Sequence, residues 1–207
     1  MDLEHGVDVA LRSVGDGGSA LVWRRTCREL AHGPRIGVAA LTSTAALRAV
    51  EALEKRFPDV GKVALGYVPG DEERPAPPSV REALLGVHAV VWATPAAQPL
   101  GARERRALAA IEEALGPDAK AVVVVDVHVL ERVSDTPDAE LADVLERVAA
   151  LVPDGWSAAA DTDAQGLEAF VGSVRSRVGE LTAGRCRAVA KLLLEDAHEG
   201  LVGTVEH

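Results

Sequence analysis

The chain has 207 residues, 48% of them hydrophobic, enough to bury roughly 70% of the unfolded surface around one core. Its 22 Lys and Arg stand against 32 Asp and Glu, a formal net charge of -10, which argues against nucleic acid as a partner, since acidic surfaces repel a phosphate backbone. The two cysteines, Cys27 and Cys186, are far apart in segments that read as helix, and imply neither a disulfide framework nor a zinc cluster.

Acidic residues occupy the start of the chain, where a signal peptide needs basic ones, and no apolar run reaches the roughly 18 residues of a membrane span. A soluble cytoplasmic protein with no integral membrane segment is expected. An N-terminal helical stretch leads to GDGG at 15–18, read as a hinge, and Ser19 to Ala31 carries Trp23, Cys27 and Leu30 on one helical stripe that stops at Gly33-Pro34. From there, apolar runs of strand length alternate with helical patterns over short connections. The strands are expected at 35–40, 62–68, 87–93, 119–127 and 155–160, the fourth nearly continuous in Val, as in a strand buried on both faces. Between them, Ala46, Val50, Leu53 and Phe57 recur at helical spacing, 100–115 and 165–178 are helical in pattern, and Pro137 follows Thr136 as a first helical residue follows its cap. This alternation predicts a three-layer α/β fold around a mainly parallel five-stranded sheet. A last helix, 184–201, places Cys186, Val189, Ala190, Leu193, Ala197 and Leu201 on a broad apolar face that either packs back on the domain or meets a partner. The expected organisation is a helical extension over 1–33, an α/β domain over 34–180 and a C-terminal helix over 181–207.

The strand Arg35-Ile36-Gly37-Val38, running through a short loop into an amphipathic helix, resembles the GTPase domain of the dynamin-like and Era-like branch of the translation-factor-class P-loop GTPases, over roughly residues 35–180. The stretch VHAVVWATPAAQPLGARERRALAAI, with Glu104 opening its helix, follows the family's pattern most closely. The resemblance implies a P-loop GTPase-like fold, and it sets the chemistry this chain lacks. Aligned on strand and helix, the family's two loop glycines fall on Ala40 and Ala45, its Lys on Ala46 and its Ser/Thr on Leu47. Without these, the close backbone approach, the point charge and the magnesium-holding hydroxyl are gone. Thr42, Ser43 and Thr44 remain, as helix caps or as residual anion contacts. Tyr67 stands where the second strand should end in Asp, although Pro69-Gly70 follows; only Pro58 to Gly61 separates the first helix of the domain from that strand, so the magnesium-sensing switch and its edge strand are absent from the sequence. Asp126 lies where the guanine-reading motif belongs, without its Lys, and Ser157-Ala158, read as following the fifth strand, match the family's least specific motif.

What the resemblance implies is a pseudo-GTPase: a catalytically inactive regulatory protein with no cofactor, no metal and no catalytic residue, working as an oligomer with itself or with an intact GTPase. A divergent GTP-binding protein stays open beside it. So does a flavodoxin-like domain binding FMN or another small ligand, because that fold shares the strand order and TSTAA is a loose match to its phosphate loop, with Tyr67 and Trp92 as stacking aromatics. Asp126 and His128, one residue apart on a strand, form a possible acid–base or metal pair with no third ligand identifiable, and Asp71-Glu72-Glu73 read as a solvated acidic loop.

Overall fold

The structure is a computed structural model, and it describes residues 3–13, 15–66, 86–115, 119–125 and 137–205. In chain order the elements are α1 (Leu3–Ser13), α2 (Gly17–Ala31), β1 (Arg35–Ala40), α3 (Ser43–Arg56), β2 (Gly61–Gly66), β3 (Ala89–Pro95), α4 (Ala102–Leu115), β4 (Ala119–Val125), α5 (Pro137–Leu151), β5 (Trp156–Ala160), α6 (Ala164–Ser176) and α7 (Val178–Val205). The expected alternation of strand and helix is present from β1 to α6. The five strands form one sheet in the order β2-β1-β3-β4-β5, and every pairing is parallel. Parallel strands must be covered on both faces, and here two layers of helix do so. α3 and α6 cover the face carrying Ile36, Val38, Val91 and Val123, while α4 and α5 cover the face carrying Ala39, Val90, Trp92 and Val122. Trp92 is fully buried in the second of these layers, a packing role rather than that of a stacking aromatic at a ligand. Gly37 in β1 is required by packing: a Cβ there would come within 2.8 Å of Leu65 and 3.2 Å of Val87.

The connection from α3 to β2 is residues 57–60 alone, which leaves no length for an additional edge strand between them. The stretch GDGG is less of a hinge than its composition suggests. Only Gly15 adopts a left-handed backbone, with φ +79°, and Asp16 caps α2 by accepting from the Ser19 N–H, so Gly17 and Gly18 form the first turn of the helix.

The terminal helices do not stand apart. Val7 and Leu11 of α1, Ala20, Trp23 and Cys27 of α2, and Val189, Ala190 and Leu193 of α7 close a third apolar cluster, with Cys186 and Ala197 packed at its margin. From Cys186 to Ala197 the apolar stripe of the C-terminal helix is therefore covered within the chain, by α1 and α2; the side chain of Leu201 lies outside the described residues. The indole of Trp23 donates to the Glu4 carbonyl at 3.0 Å, which pins α1 onto α2. The bundle meets the amino edge of the sheet through two buried polar side chains. His88, 1% exposed just before β3, accepts from the Arg35 N–H through Nδ1 (3.1 Å), which leaves Nε2–H to donate to Thr182 Oγ1 (2.9 Å) in α7. The Thr182 hydroxyl in turn donates to the Val178 carbonyl (2.7 Å), and Arg185, also 1% exposed, donates Nε–H to the Val87 carbonyl (3.1 Å). Among the described residues no helix is long and apolar enough to cross a membrane.

Two predictions follow from this bundle and its junction with the sheet. Leu193→Asp should lower the unfolding free energy by about 3 kcal/mol in urea melts, because it buries an unpaired carboxylate among Trp23, Val189 and Ala190. Burial first, then the positive charges of Arg185 and Arg35, holds His88 down at about 4, against 6.5 for a free imidazole. The folded protein thus binds this proton more weakly than the unfolded chain, so its contribution to stability is complete above pH 6.5 and is lost as pH falls toward 4. Urea melts should show a loss of about 2 kcal/mol from about pH 7.5 to about pH 5, and His88→Asn, whose amide oxygen replaces Nδ1 as acceptor, should remove that slope.

Candidate functional site

Strand order places β1 and β3 side by side while their following helices leave in opposite directions, α3 to one face and α4 to the other. At such a switch point the carboxyl ends of two adjacent strands are left without a helix between them, and a crevice opens. Here it is a cavity of ≈ 350 Å³ lined by Leu41, Thr42 and Ala45 on one side, Ala93 and Pro95 at its floor, and Gln98, Gly101, Ala102, Arg103 and Glu104 on the other. The lining is mostly apolar with a few polar groups, the usual make-up of a small-molecule site.

The wall formed by β1 and α3 is short. β1 ends at Ala40 and α3 begins at Ser43, so the connection consists of Leu41 and Thr42 alone. Thr42 has an extended backbone (φ −126°, ψ 144°), and its Oγ1 accepts the Ala45 N–H at 3.2 Å as an N-cap. Ala40, Ala45 and Ala46 are buried against the sheet face under α3. Ser43, Thr44 and Leu47 point to solvent from the first turns of the helix, Leu47 with 53% exposure. Of the seven residues from the aligned loop, Thr42 and Ala45 reach the crevice wall. A phosphate cradle needs several successive N–H groups turned inward, with residues of positive φ between them. Neither the length nor the backbone sign is present: among the described residues positive φ occurs at Gly15, Gly33, Leu100 and Gly155 only.

The opposite wall is the connection between β3 and α4, and it is built with more care than its sequence suggests. Leu100 is buried and held in the left-handed region (φ 50°), a conformation that costs a branched side chain about 1 kcal/mol or more. Its N–H donates to Thr94 Oγ1 at 3.0 Å, and Thr94 is itself fully buried. Glu104, 3% exposed, accepts from the Gly101 N–H (2.9 Å) and from the Trp92 indole (3.2 Å), so one carboxylate caps α4 and ties it to the central strand. The Ala96 N–H donates to the Val125 carbonyl at 2.9 Å and anchors the base of the loop to β4. These contacts set the positions from which Gln98 and Arg103 edge the crevice. Sequence reasoning marked Glu104 only as a helix opener. Its spacing three residues after Gly101 was the available signal for a carboxylate cap on that N–H; the Trp92 partner was not readable, because it depends on the packing of α4 on β3.

Ser157 lies elsewhere. It is the second residue of β5, paired with Ala121, and its hydroxyl faces the Lys120 carbonyl at 3.4 Å; the residues that actually follow β5 are Asp161, Thr162 and Asp163. The strand begins at Trp156, whose indole donates to Glu112 Oε2 (2.7 Å) and fixes the register. Tyr67, Gly70, Asp71 to Glu73, Asp126 and His128 lie outside the described residues. Among the described residues no group of three or more His, Cys, Asp or Glu is placed to hold a metal ion. The two cysteines, distant in sequence, come together: Cys27 of α2 lies in the third apolar cluster and Cys186 of α7 packs against it.

Glu104→Ala removes both the cap and the indole's acceptor, and should cost about 2 kcal/mol of unfolding free energy while changing the fluorescence of Trp92 in the folded protein. Thr42→Ala should cost about 1 kcal/mol, the usual value of a lost N-cap. Both are read from chemical denaturation monitored by tryptophan emission.

No protein-family model matches the chain, and no curated protein does. Among solved structures it is similar to the LeoA bacterial dynamin GTPase from ETEC, at 13% identity and a TM-score of 0.31 over 98% of this chain and 48% of that one. The chain spans about half the length of that protein.

Proposed function

We propose that this chain is a non-hydrolysing α/β domain of GTPase-like build, which acts by binding another protein across the carboxyl edge of its sheet. The observation that carries this reading is the two-residue connection of Leu41 and Thr42, with the Thr42 hydroxyl already committed to Ala45. Such a connection caps a helix well and encloses a phosphate badly. The four-residue link from α3 to β2 supports the same reading, since a magnesium-sensing switch has no chain there to be made from. A domain released from holding nucleotide still needs its packing, and the sheet retains it on both faces. Leu47, half-exposed on the first turns of α3, and the apolar crevice wall of Leu41 and Ala45 offer a protein partner surface beside the former nucleotide edge. The partner in this proposal is a second copy or an intact GTPase; the terminal helices, covered in cis, do not serve as the contact.

A second reading is favoured by the crevice itself. Its volume of ≈ 350 Å³ at the switch point suits a small organic ligand, edged by Gln98 and Arg103. Native mass spectrometry of the purified protein distinguishes the two, because a resident ligand adds its mass to the folded ion.

Titration calorimetry with GTP or GDP and magnesium should give no binding heat at nucleotide concentrations up to about 1 mM, a limit of about −4 kcal/mol in affinity. A micromolar dissociation constant for either nucleotide would overturn the non-hydrolysing reading. Light scattering across a concentration series should show self-association that Leu47→Asp abolishes without lowering the melting temperature; a strict monomer leaves the intact GTPase as the proposed partner.

A further inference from the structure

The three-helix bundle contains a pair of thiols that none of the foregoing functions uses. Cys27 is buried, 9% exposed, between Trp23 and the α7 residues Val189 and Ala190. Cys186 sits at the margin of the same cluster, half-buried and open on one side to solvent. α2 packs directly against α7, and the two cysteines meet at one cluster on that seam. Neighbouring backbones that bring two cysteines to one contact are the starting condition for a disulfide.

We propose that Cys186 and Cys27 form a hydroperoxide-reactive dithiol, in which Cys186 is the attacking and Cys27 the resolving thiol, and whose product is a reversible disulfide joining α2 to α7. The asymmetry of the pair assigns the roles. A peroxide can reach Cys186 and cannot reach Cys27. The Cys27 S–H donates to the Cys186 sulfur and lowers its pKa to about 7; Arg187 adds to this, while burial and Glu4 oppose it. The shift favours the thiolate at the accessible position, which is the protonation state the reaction needs.

The Cys186 thiolate attacks the distal oxygen of the hydroperoxide, a sulfur–oxygen bond forms, the oxygen–oxygen bond breaks, and the departing alkoxide or hydroxide takes a proton from solvent. The sulfur has lost two electrons to the peroxide and is now a sulfenic acid. The Cys27 sulfur then attacks it, the sulfur–sulfur bond forms, and hydroxide leaves with the Cys27 proton as water. A dithiol reductant returns the pair to two thiols by exchange and is itself oxidised to its disulfide. The cross-link joins the helix that enters β1 to the helix that holds His88 through Thr182, so it closes a loop around the whole sheet. Closing so long a loop restricts the unfolded chain, and stability of the folded state rises.

The test treats the full chain with hydrogen peroxide and counts thiols by alkylation. Both thiols should be lost together, a digest should yield a Cys27–Cys186 linked peptide, and the melting temperature should rise by about 10 °C and return after dithiothreitol. In Cys27→Ser, dimedone should trap a sulfenic acid on Cys186; in Cys186→Ser, Cys27 should stay unmodified under the same treatment. Two thiols still open to alkylation after peroxide, or a link between molecules in place of the internal one, would overturn the proposal. Faster modification of Cys27 in Cys186→Ser than of Cys186 in Cys27→Ser would overturn the assignment of roles.

Discussion

The handedness of the strand crossovers governs this molecule. A parallel strand, a helix and the next parallel strand join with a right-handed turn, so the direction in which the chain moves across the sheet decides which face the helix covers. From β1 the chain moves outward to β2, and α3 falls on one face; from β3 it moves the other way, through β4 to β5, and α4 and α5 fall on the opposite face. The reversal between β1 and β3 is what separates α3 from α4 and opens the crevice between their N-termini. Five short strands with little polar chemistry thus produce one concave site, at a place dictated by connectivity.

The two walls of that crevice differ in how they are made. Thr42 closes the β1–α3 side in two residues with an ordinary cap, and the helix starts at once, leaving Ala40, Ala45 and Ala46 to pack against the sheet. The β3–α4 side takes a longer route, with Leu100 in a left-handed backbone, Thr94 and Glu104 buried beneath it, and Trp92 bound to the same carboxylate that caps the helix. Buried polar groups that are fully engaged hold a loop in one geometry, since leaving either partner unmade costs its desolvation. Order is concentrated on the wall where Gln98 and Arg103 are presented.

At the other end of the strands, the bundle of α1, α2 and α7 stabilises the sheet from its amino edge. His88 stays neutral because Arg35 and Arg185 lie near it and water does not, and its two nitrogens join β1 to α7. The bundle sets α1 and α2 against α7, which is why the apolar stripe from Cys186 to Ala197 is covered in cis and why two cysteines so distant in sequence meet at one cluster.

The sequence alone was sufficient for the α/β class and for most strand positions, because a strand buried on both faces must be continuously apolar and AVVVV or AVVWA cannot be mistaken for a solvent-facing element. It also placed Ala at positions 40, 45 and 46 of the β1–α3 stretch, and Ala supplies neither a cheap positive φ nor a charge. Tertiary structure decided what depends on contacts between distant segments. Trp156, the first residue of β5, is held by Glu112 of α4, a partner 44 residues away in the chain. The stripe of Cys186, Val189, Ala190 and Leu193 shows a need for cover in the sequence, and only the fold chose α1 and α2 as the cover. The bond of Glu104 to Trp92, the contacts of His88 and the meeting of the two cysteines were unreadable for the same physical reason: periodicity reports which side of an element is buried, whereas a contact between distant segments depends on how those elements are set against one another.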